Sequence, residues 1–282
     1  MKQLSADVKR IESLLDQELS PKGQLMEAAR YGVLNGGKRL RAHLVYASGR
    51  LCGVSEDVAD FGAMAIEMIH AYSLIHDDLP AMDDDDLRRG KPTVHKKWND
   101  ATAILAGDVL QSLAFEKLTL APVDAEKRLK LVGCLARASH GMVEGQMRDL
   151  LAESAIEPLG LDAIRALQNK KTGDLIAWSA SFGAIVSEQN GDELERYARA
   201  LGLAFQIHDD VLDIEGSTEA LGKTAGKDEV AGKATFVSHL GLDGAKSAAR
   251  AAIHEAIDAL KGFGDDAKDL RDLAQFVISR GN

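Results

Sequence analysis

Residues 125–152, AEKRLKLVGCLARASHGMVEGQMRDLLA, contain the pattern that decides the fold class. Apolar side chains recur every three or four positions along this run, for example at Leu129, Leu135 and Met142. A second run, 193–214, has the same spacing. This period places apolar side chains on one face of an α-helix. Both runs are therefore predicted to be helices.

The rest of the chain favours the same fold class. Its 282 residues include only five prolines, and the alternating apolar and polar runs that are typical of strands are scarce. Aromatic residues, which favour strands, make up 5% of the chain. No shift in composition divides it. We predict an all-α protein with a single helical domain over residues 1–282, interrupted by turns at segments such as 35–37, 80–92 and 215–235.

Composition restricts the classes of partner. Lys and Arg total 34 against 44 Asp and Glu, which gives a net charge of −10. Nucleic-acid-binding proteins usually have a basic excess, so we expect no nucleic-acid partner. The charged N-terminal segment has no apolar signal core, and no run approaches about 18 apolar residues, so no membrane span is expected. Two distant cysteines, Cys52 and Cys134, fit no metal spacing and indicate a reducing, cytoplasmic location.

A short acidic motif occurs twice. Ile-His-Asp-Asp at 75–78 is repeated at 207–210, and a further aspartate follows each copy. In the second copy, Asp209 and Asp213 are about one helical turn apart and share a face, while Asp210 lies to the side. Clustered carboxylates repel one another and are most easily held together by a cation. Aspartates without cysteine suit a hard ion such as Mg²⁺.

The first copy requires a turn to bring its carboxylates together. Asp77 and Asp83 are six residues apart, so a straight helix would place them on different faces. Pro80 disfavours helical backbone at Leu79. We therefore expect the helix to end near Asp78 and the chain to bring Asp83 back beside Asp77. For either copy alone, a solvated helix end is the simpler alternative.

Basic residues accompany these aspartates. Arg88 and Arg89 follow the first copy and could bind the oxygens of a metal-bound diphosphate. The segment 36–41, Gly-Gly-Lys-Arg-Leu-Arg, is a second candidate anion site, because glycines precede a predicted helix start there. Lys38 and Arg41 are three apart and would share a helix face. Weaker candidates, since lone lysines are usually exposed, are Lys171, Lys223 and Lys233.

Residues one or two turns before Asp77 are candidates for the substrate pocket. His70 precedes Asp77 by seven residues and lies on nearly the same helical face, with Ser73 between them. A core histidine is the simple interpretation of His70, and a phosphate donor is the functional one. An apolar pocket beneath a metal–diphosphate site would meet the bulky Tyr72 first.

Together these segments resemble the trans-prenyl diphosphate synthases, most closely the bacterial short-chain farnesyl diphosphate synthases. One acidic motif would be weak support, but six segments match in family order. They are 36–41, 70–90, 145–150, 171–173, 206–213 and 221–223.

The resemblance implies a fold and a reaction. The fold is a single large helical bundle around a central cavity. The reaction is the Mg²⁺-dependent condensation of isopentenyl diphosphate with dimethylallyl or geranyl diphosphate, which gives farnesyl diphosphate (C15). Two or three Mg²⁺ ions are implied, with Mn²⁺ as a possible substitute, and the family also implies a homodimer.

The resemblance also assigns roles to residues. The implied metal ligands are Asp77, Asp78, Asp83, Asp209 and Asp213, and the implied catalytic set adds Arg88, Lys171 and Asp210. The allylic diphosphate would be held by Arg88, Lys171, Thr172, Gln206, Lys223 and Lys233. Isopentenyl diphosphate would be held by Lys38, Arg41, His70 and Arg89. Tyr72 and Ser73 would limit product length.

Several alternatives remain open from the sequence. Geranylgeranyl (C20) and geranyl (C10) diphosphate are the other candidate products. A helical phosphohydrolase of the HD type would use His76 and Asp77 as metal ligands, although further histidine ligands are not obviously placed. A terpene cyclase normally has one aspartate motif, and a non-catalytic subunit typically loses one. Both motifs are intact here.

Overall fold

The computed structural model of the protein describes residues 2–153, 155, 157–215 and 234–279. The helices in these ranges are α1 (Lys2–Glu18), α2 (Gln24–Val33), α3 (Leu40–Leu51), α4 (Glu56–Asp77), α5 (Val94–Lys97), α6 (Asp100–Thr119), α7 (Ala125–Glu153), α8 (Leu161–Gln168), α9 (Asp174–Ser187), α10 (Asp192–Glu215), α11 (Phe236–Ala259) and α12 (Lys268–Ser279). A π-helical turn, Asn169–Gly173, joins α8 to α9, and a 3₁₀ segment, Lys261–Ala267, precedes α12.

The predicted all-α class is confirmed, and the two runs with helical spacing are α7 and α10. One small hairpin was not predicted. Strands β1 (Leu87–Arg88) and β2 (Lys91–Pro92) pair antiparallel, with Arg88 opposite Lys91. The turn between them has positive φ at both central residues, 55° at Arg89 and 75° at Gly90. That combination suits the right-handed twist of a tight hairpin.

The chain divides into two compact units. The first comprises Met1–Leu135 and Phe182–Gln189, and the second comprises Ala136–Ser181 and Asn190–Asn282. In the first unit, α4 packs against α3 and α6. Gly107 permits the close approach of α6, because a Cβ there would lie 2.1 Å from Nε2 of His76. The end of α4, which carries the first acidic motif, is therefore held against α6.

Helix α4 is long and largely apolar. By length and composition alone it could cross a membrane, with an 18-residue window of mean hydropathy 1.3. However, 78% of this window is buried inside the protein. Core helices of soluble proteins have the same composition when neighbouring helices surround them.

In the second unit, α10 packs against α11, the π-helical turn and α12. Ile207 and Val211 are 2% exposed and pack with Phe236 in the core of this unit. Phe205 and Leu212, two apolar residues of the 193–214 run, are only half-buried. The buried face of α10 therefore lies one or two residues away from Phe205 and Leu212. The acidic residues of this helix lie at the edge of the core.

Candidate active site

The first acidic motif forms the turn that Pro80 predicts. Helix α4 ends at Asp77, and the N–H of Asp83 donates to the carbonyl oxygen of Asp77 at 2.9 Å. The N–H groups of Leu79 and Asp78 still bond to the last turn of the helix, at 3.1 Å each. The chain therefore returns after Pro80, and the backbones of Asp77 and Asp83 become neighbours although six positions separate them.

Arg88 holds Asp78 in this turn. Nε of Arg88 donates to both carboxylate oxygens of Asp78, at 2.7 and 2.9 Å, and the Asp78 side chain is 4% exposed. Burial lowers the pKa of Arg88, but the hydrogen bond to Asp78 and the charges of Asp78, Asp77 and Asp85 raise it more, so the net shift is upward. Asp78 and Arg88 therefore bind each other in this structure. The resemblance instead assigns Asp78 to a metal ion and Arg88 to the allylic diphosphate.

His70 lies among several arginine side chains. Its Nε2 is 3.3 Å from Nη1 of Arg41. Burial lowers the pKa of His70 well below its usual value, and the charges of Arg41, Arg89, Arg88 and Arg39 lower it further. The imidazole is therefore neutral at pH 7. A neutral imidazole among guanidinium groups leaves a local positive potential that suits an anionic ligand.

Arg89 and the glycine loop belong to the same cluster. Nη1 of Arg89 donates to the carbonyl oxygen of Gly36, and a Cβ at Gly37 would lie 2.6 Å from the guanidinium. Burial lowers the pKa of Arg89 to about 10, and the charge of Arg39 contributes. The charge of Glu67 opposes this shift, but arginines outnumber carboxylates among the charges that act most strongly on Arg89, which favours an anionic ligand such as a diphosphate.

One geometric expectation for this loop was wrong. Lys38 and Arg41 do not share a helix face, because α3 begins at Leu40 and Lys38 precedes it. Arg39 has a φ of 49°, in the left-handed region, and turns the chain before the helix starts. Its buried guanidinium donates to Oε2 of Glu67 at 3.1 Å. Lys38 is exposed, whereas Arg41 is half-buried beside His70.

The proposed chain-length residues lie on α4. Tyr72 is 9% exposed and its ring packs edge-on against His76, with centroids 5.1 Å apart. Burial raises the pKa of Tyr72, the charges of Asp77 and Asp108 add to this, and a hydrogen bond with Gln111 opposes it. The hydroxyl of Ser73 donates to the carbonyl oxygen of His70 at 2.9 Å.

The second acidic motif lies in the last turns of α10. Asp209 and Asp210 are half-buried and Asp213 is 6% exposed. Oδ2 of Asp210 accepts the N–H of Phe236 at 2.7 Å, where α11 begins. A carboxylate at a helix N-terminus is stabilised by the unsatisfied N–H groups there. Asp210 therefore has a structural contact, while Asp209 and Asp213 share one face of the helix.

A π-helical turn presents Lys171 and Thr172. Nζ of Lys171 donates to Oδ2 of Asp149 at 2.5 Å, and the Asp149 side chain is 4% exposed. The turn passes so close to α7 that a Cβ at Gly145 would lie 2.2 Å from the backbone nitrogen of Lys171. Single π-helical turns are rare and occur frequently at functional sites. Sequence reasoning missed the role of Asp149, although the residue lies in the matched segment 145–150.

The remaining predicted site residues are Gln206, Lys223 and Lys233. Gln206 is half-buried on α10, two turns before Asp213. Lys223 and Lys233 lie outside the described residues, as does the matched segment 221–223.

The donor atoms of both acidic segments fit Mg²⁺. Asp77 and Asp83 offer carboxylate oxygens from one turn, and Asp209 and Asp213 offer them from one helix face. Oxygen-only donors are what this ion prefers. Nε2 of His76 lies 3.0 Å from the carbonyl oxygen of Ile104.

Comparison with known proteins identifies the family. The polyprenyl synthetase family model matches residues 22–274. The chain is 45% identical to farnesyl diphosphate synthase of Escherichia coli, covering 99% of this chain and 98% of that one. It is also 45% identical to a chloroplastic geranylgeranyl pyrophosphate synthase of Arabidopsis thaliana, over 92% of this chain and 74% of the relative.

A solved structure agrees with this assignment. The apo structure of an FPP/GFPP synthase from Zymomonas mobilis has a TM-score of 0.89 and 45% identity to this chain, with 98% of both chains covered. The fold and the sequence therefore point to the same group of enzymes. The chain belongs to the polyprenyl synthetase family and is a prenyltransferase.

Proposed function

We propose that this prenyltransferase condenses isopentenyl diphosphate with dimethylallyl and geranyl diphosphate to give farnesyl diphosphate. The observation that carries the proposal is the arrangement in the first unit. An acidic turn at Asp77 and Asp83 lies next in sequence to Arg88 and Arg89, and both arginines lower the pKa of His70. A metal-bound diphosphate needs the carboxylates, and a second diphosphate needs the cationic cluster.

The proposed roles follow from these placements. Asp77 and Asp83 on the first motif, with Asp209 and Asp213 on the second, would hold Mg²⁺ against the allylic diphosphate. Lys171 and Thr172, presented by the π-helical turn, would bind the same diphosphate. The isopentenyl diphosphate would be held by Lys38, Arg41, His70 and Arg89. Asp78 and Asp210 are positioned by Arg88 and Phe236, so their proposed part is to hold the acidic segments in place.

The chemistry needs no nucleophilic side chain. The allylic carbon–oxygen bond breaks and its electron pair leaves with the diphosphate. The double bond of isopentenyl diphosphate then attacks the allylic cation, which forms a carbon–carbon bond and leaves the positive charge on C3 of the isopentenyl unit. The departed diphosphate takes a proton from the adjacent C2, and the electrons of that C–H bond form the new double bond. Bound Mg²⁺ supplies charge stabilisation for the leaving oxygens. Lys171 and the arginines add positive charge that is already in place, and the two anion sites hold the reacting carbons together.

The main alternative concerns the product. A geranylgeranyl pyrophosphate synthase is among the relatives, but the farnesyl diphosphate synthase of E. coli matches at nearly full length. Tyr72, buried five residues before Asp77, supports the shorter product, because a bulky side chain at that depth limits the length of the prenyl tail. We therefore favour C15 over C20.

Assembly and location are also proposed on family grounds. The exposed apolar side chains of the first unit include Leu105 on α6, which is 55% exposed, and Leu129 on α7, which is 73% exposed. Such side chains are common where a second copy binds. A cytoplasmic homodimer is the proposed state, and light scattering of the purified protein tests the homodimer directly.

The decisive experiment is a condensation assay followed by chain-length analysis. Purified protein is incubated with radiolabelled isopentenyl diphosphate and dimethylallyl or geranyl diphosphate, with Mg²⁺ or with EDTA. The expected product is C15, formed only with Mg²⁺. Asp266→Asn, an exposed substitution outside the motifs, serves as the control and should retain activity. Phosphate release without isopentenyl diphosphate would instead indicate a phosphohydrolase.

A further inference from the structure

A group of three metal-ligating side chains lies beside the hairpin and includes none of the predicted Mg²⁺ ligands. One carboxylate oxygen of Asp84, one of Asp86 and one imidazole nitrogen of His95 all lie within 4.8 Å of one another. Asp84 and Asp86 are exposed, whereas His95 is 6% exposed. Sequence reasoning did not single out His95, because α5 is a four-residue helix without a readable period.

The hydrogen bonds of His95 leave one nitrogen suited to a ligand. The hydroxyl of Thr93 lies 3.3 Å from the carbonyl oxygen of Asp86, to which it can donate, and 3.2 Å from Nδ1 of His95. A hydroxyl has a single proton, so Thr93 can accept a proton from Nδ1 of His95 while it donates its own to Asp86. The lone pair of His95 is then on Nε2. That atom is buried and has no hydrogen-bond partner in the part of the chain that the structure describes.

A buried lone pair without a partner is unusual, since most buried polar atoms are satisfied. Metal-binding histidines show the same arrangement, in which the second ring nitrogen donates to a neighbouring oxygen and fixes the tautomer. The buried Nε2 without a hydrogen-bond partner is therefore an observation independent of the two carboxylates.

A cation already occupies part of this group. Nζ of Lys96 lies 2.8 Å from Oδ1 of Asp86. The hydrogen bond to Asp86 raises the pKa of Lys96, and the charges of Asp86, Asp84 and Asp100 add to the shift. The Lys96 side chain is 42% exposed, so it can move away when a stronger cation binds.

We propose that Asp84, Asp86 and His95 form a second cation site that takes a borderline transition ion such as Zn²⁺. Two carboxylates and one imidazole suit such an ion better than Mg²⁺, which prefers oxygen ligands only. Zinc bonds of about 2.0–2.2 Å place tetrahedral ligand atoms about 3.4 Å apart. Rotation of the exposed Asp84 and Asp86 side chains can close the remaining gap. Because Asp86 precedes β1 and His95 follows β2, the ion would tie together the two ends of the hairpin that carries Arg88 and Arg89.

Calorimetric titration with Zn²⁺ in saturating Mg²⁺ tests the site without measuring activity. We expect one Zn²⁺ per chain. Asp84→Asn and His95→Gln should each weaken binding about tenfold or more, since even outer partners of metal ligands typically contribute 10–100-fold. Lys96→Gln should bind Zn²⁺ more tightly, by about fivefold, because it removes a competing charge.

The controls separate this site from the others. Asp84 has a φ of 47°, a conformation that asparagine tolerates well, so Asp84→Asn is expected to fold even if His95→Gln does not. His254→Gln, at an exposed histidine on α11, should bind Zn²⁺ unchanged. Asp77→Asn should also retain binding. Loss of the Zn²⁺ signal in Asp77→Asn, or unchanged affinity in Asp84→Asn, would overturn the proposal.

Discussion

His70 shows how a single side chain can report the charge of its surroundings. The unfolded chain binds a proton at His70 near a pH of about 6.5, whereas burial and four neighbouring arginines keep the folded imidazole neutral to lower pH. Its contribution to stability is therefore present above about pH 6.5 and is lost as the pH falls below that value.

We expect His70→Gln to reduce the dependence of stability on pH between pH 6.5 and 5. One proton accounts for a slope of at most about 1.4 kcal/mol per pH unit. Urea unfolding at several pH values measures the change. His254→Gln, at an exposed position, should leave the slope as it is. Equal slopes for His70→Gln and the unmodified protein would contradict the assignment.

Tyr72 gives a residue-scale test of product length. Tyr72→Ala removes a buried ring five residues before Asp77 and opens space for a longer tail, so products longer than C15 are expected. Tyr72→Phe keeps the ring and removes only the hydroxyl that interacts with Gln111, so its products should stay at C15. Chromatography of the dephosphorylated products distinguishes them. If Tyr72→Ala still stops at C15, Tyr72 does not limit the chain.

The residue scale also shows what the sequence could predict. The turn from Asp77 to Asp83 was predictable, because Pro80 acts locally on the backbone. The pairing of Arg88 with Asp78, and of Lys171 with Asp149, was not. Arg88 and Asp78 are ten residues apart and Lys171 and Asp149 are 22 apart, so both contacts depend on how the intervening chain folds, which single residue types do not encode.

At the scale of elements, Gly145 connects α7 with the π-helical turn. Gly145→Ala would place a Cβ 2.2 Å from the backbone nitrogen of Lys171, so the turn must move. Overpacking of this kind typically costs about 1–3 kcal/mol. We expect a lower free energy of unfolding, together with a raised KM for the allylic substrate as Lys171 and Thr172 shift.

The matched control is Gly262→Ala in the 3₁₀ segment, where nothing lies within 4 Å of the added Cβ. It should change neither the urea midpoint nor KM. A Gly145→Ala protein with unaltered stability and kinetics would show that α7 and the turn can separate without consequence.

Secondary-structure elements were predictable where the apolar spacing repeats over many turns. Elements of only a few residues were not predictable. Helices α7 and α10 span many turns, so their apolar spacing identifies them. The β1–β2 hairpin has two residues per strand and no period to detect. The left-handed backbone at Arg39, which removes Lys38 from α3, is also invisible to spacing arguments because it depends on a single φ angle.

At the scale of the whole molecule, the two acidic motifs belong to different compact units. Asp77 and Asp83 are in the first unit, and Asp209 and Asp213 are in the second. The motif repeat and the ordered family matches could be found in the sequence. The joint action of the two motifs on one diphosphate remains a proposal, because local patterns do not encode how remote segments cooperate.

A double-mutant cycle tests that joint action. Asp77→Asn and Asp209→Asn should each lower kcat/KM at least about a hundredfold, since charge stabilisation by a bound divalent ion is worth several kcal/mol. If both carboxylates serve the same ionisation step, the double variant should be little worse than either single one, because groups that act as a unit are not additive. Asp266→Asn should remain active. Losses that multiply would instead mean that the two motifs act independently, and the proposed shared metal–diphosphate site would then be wrong.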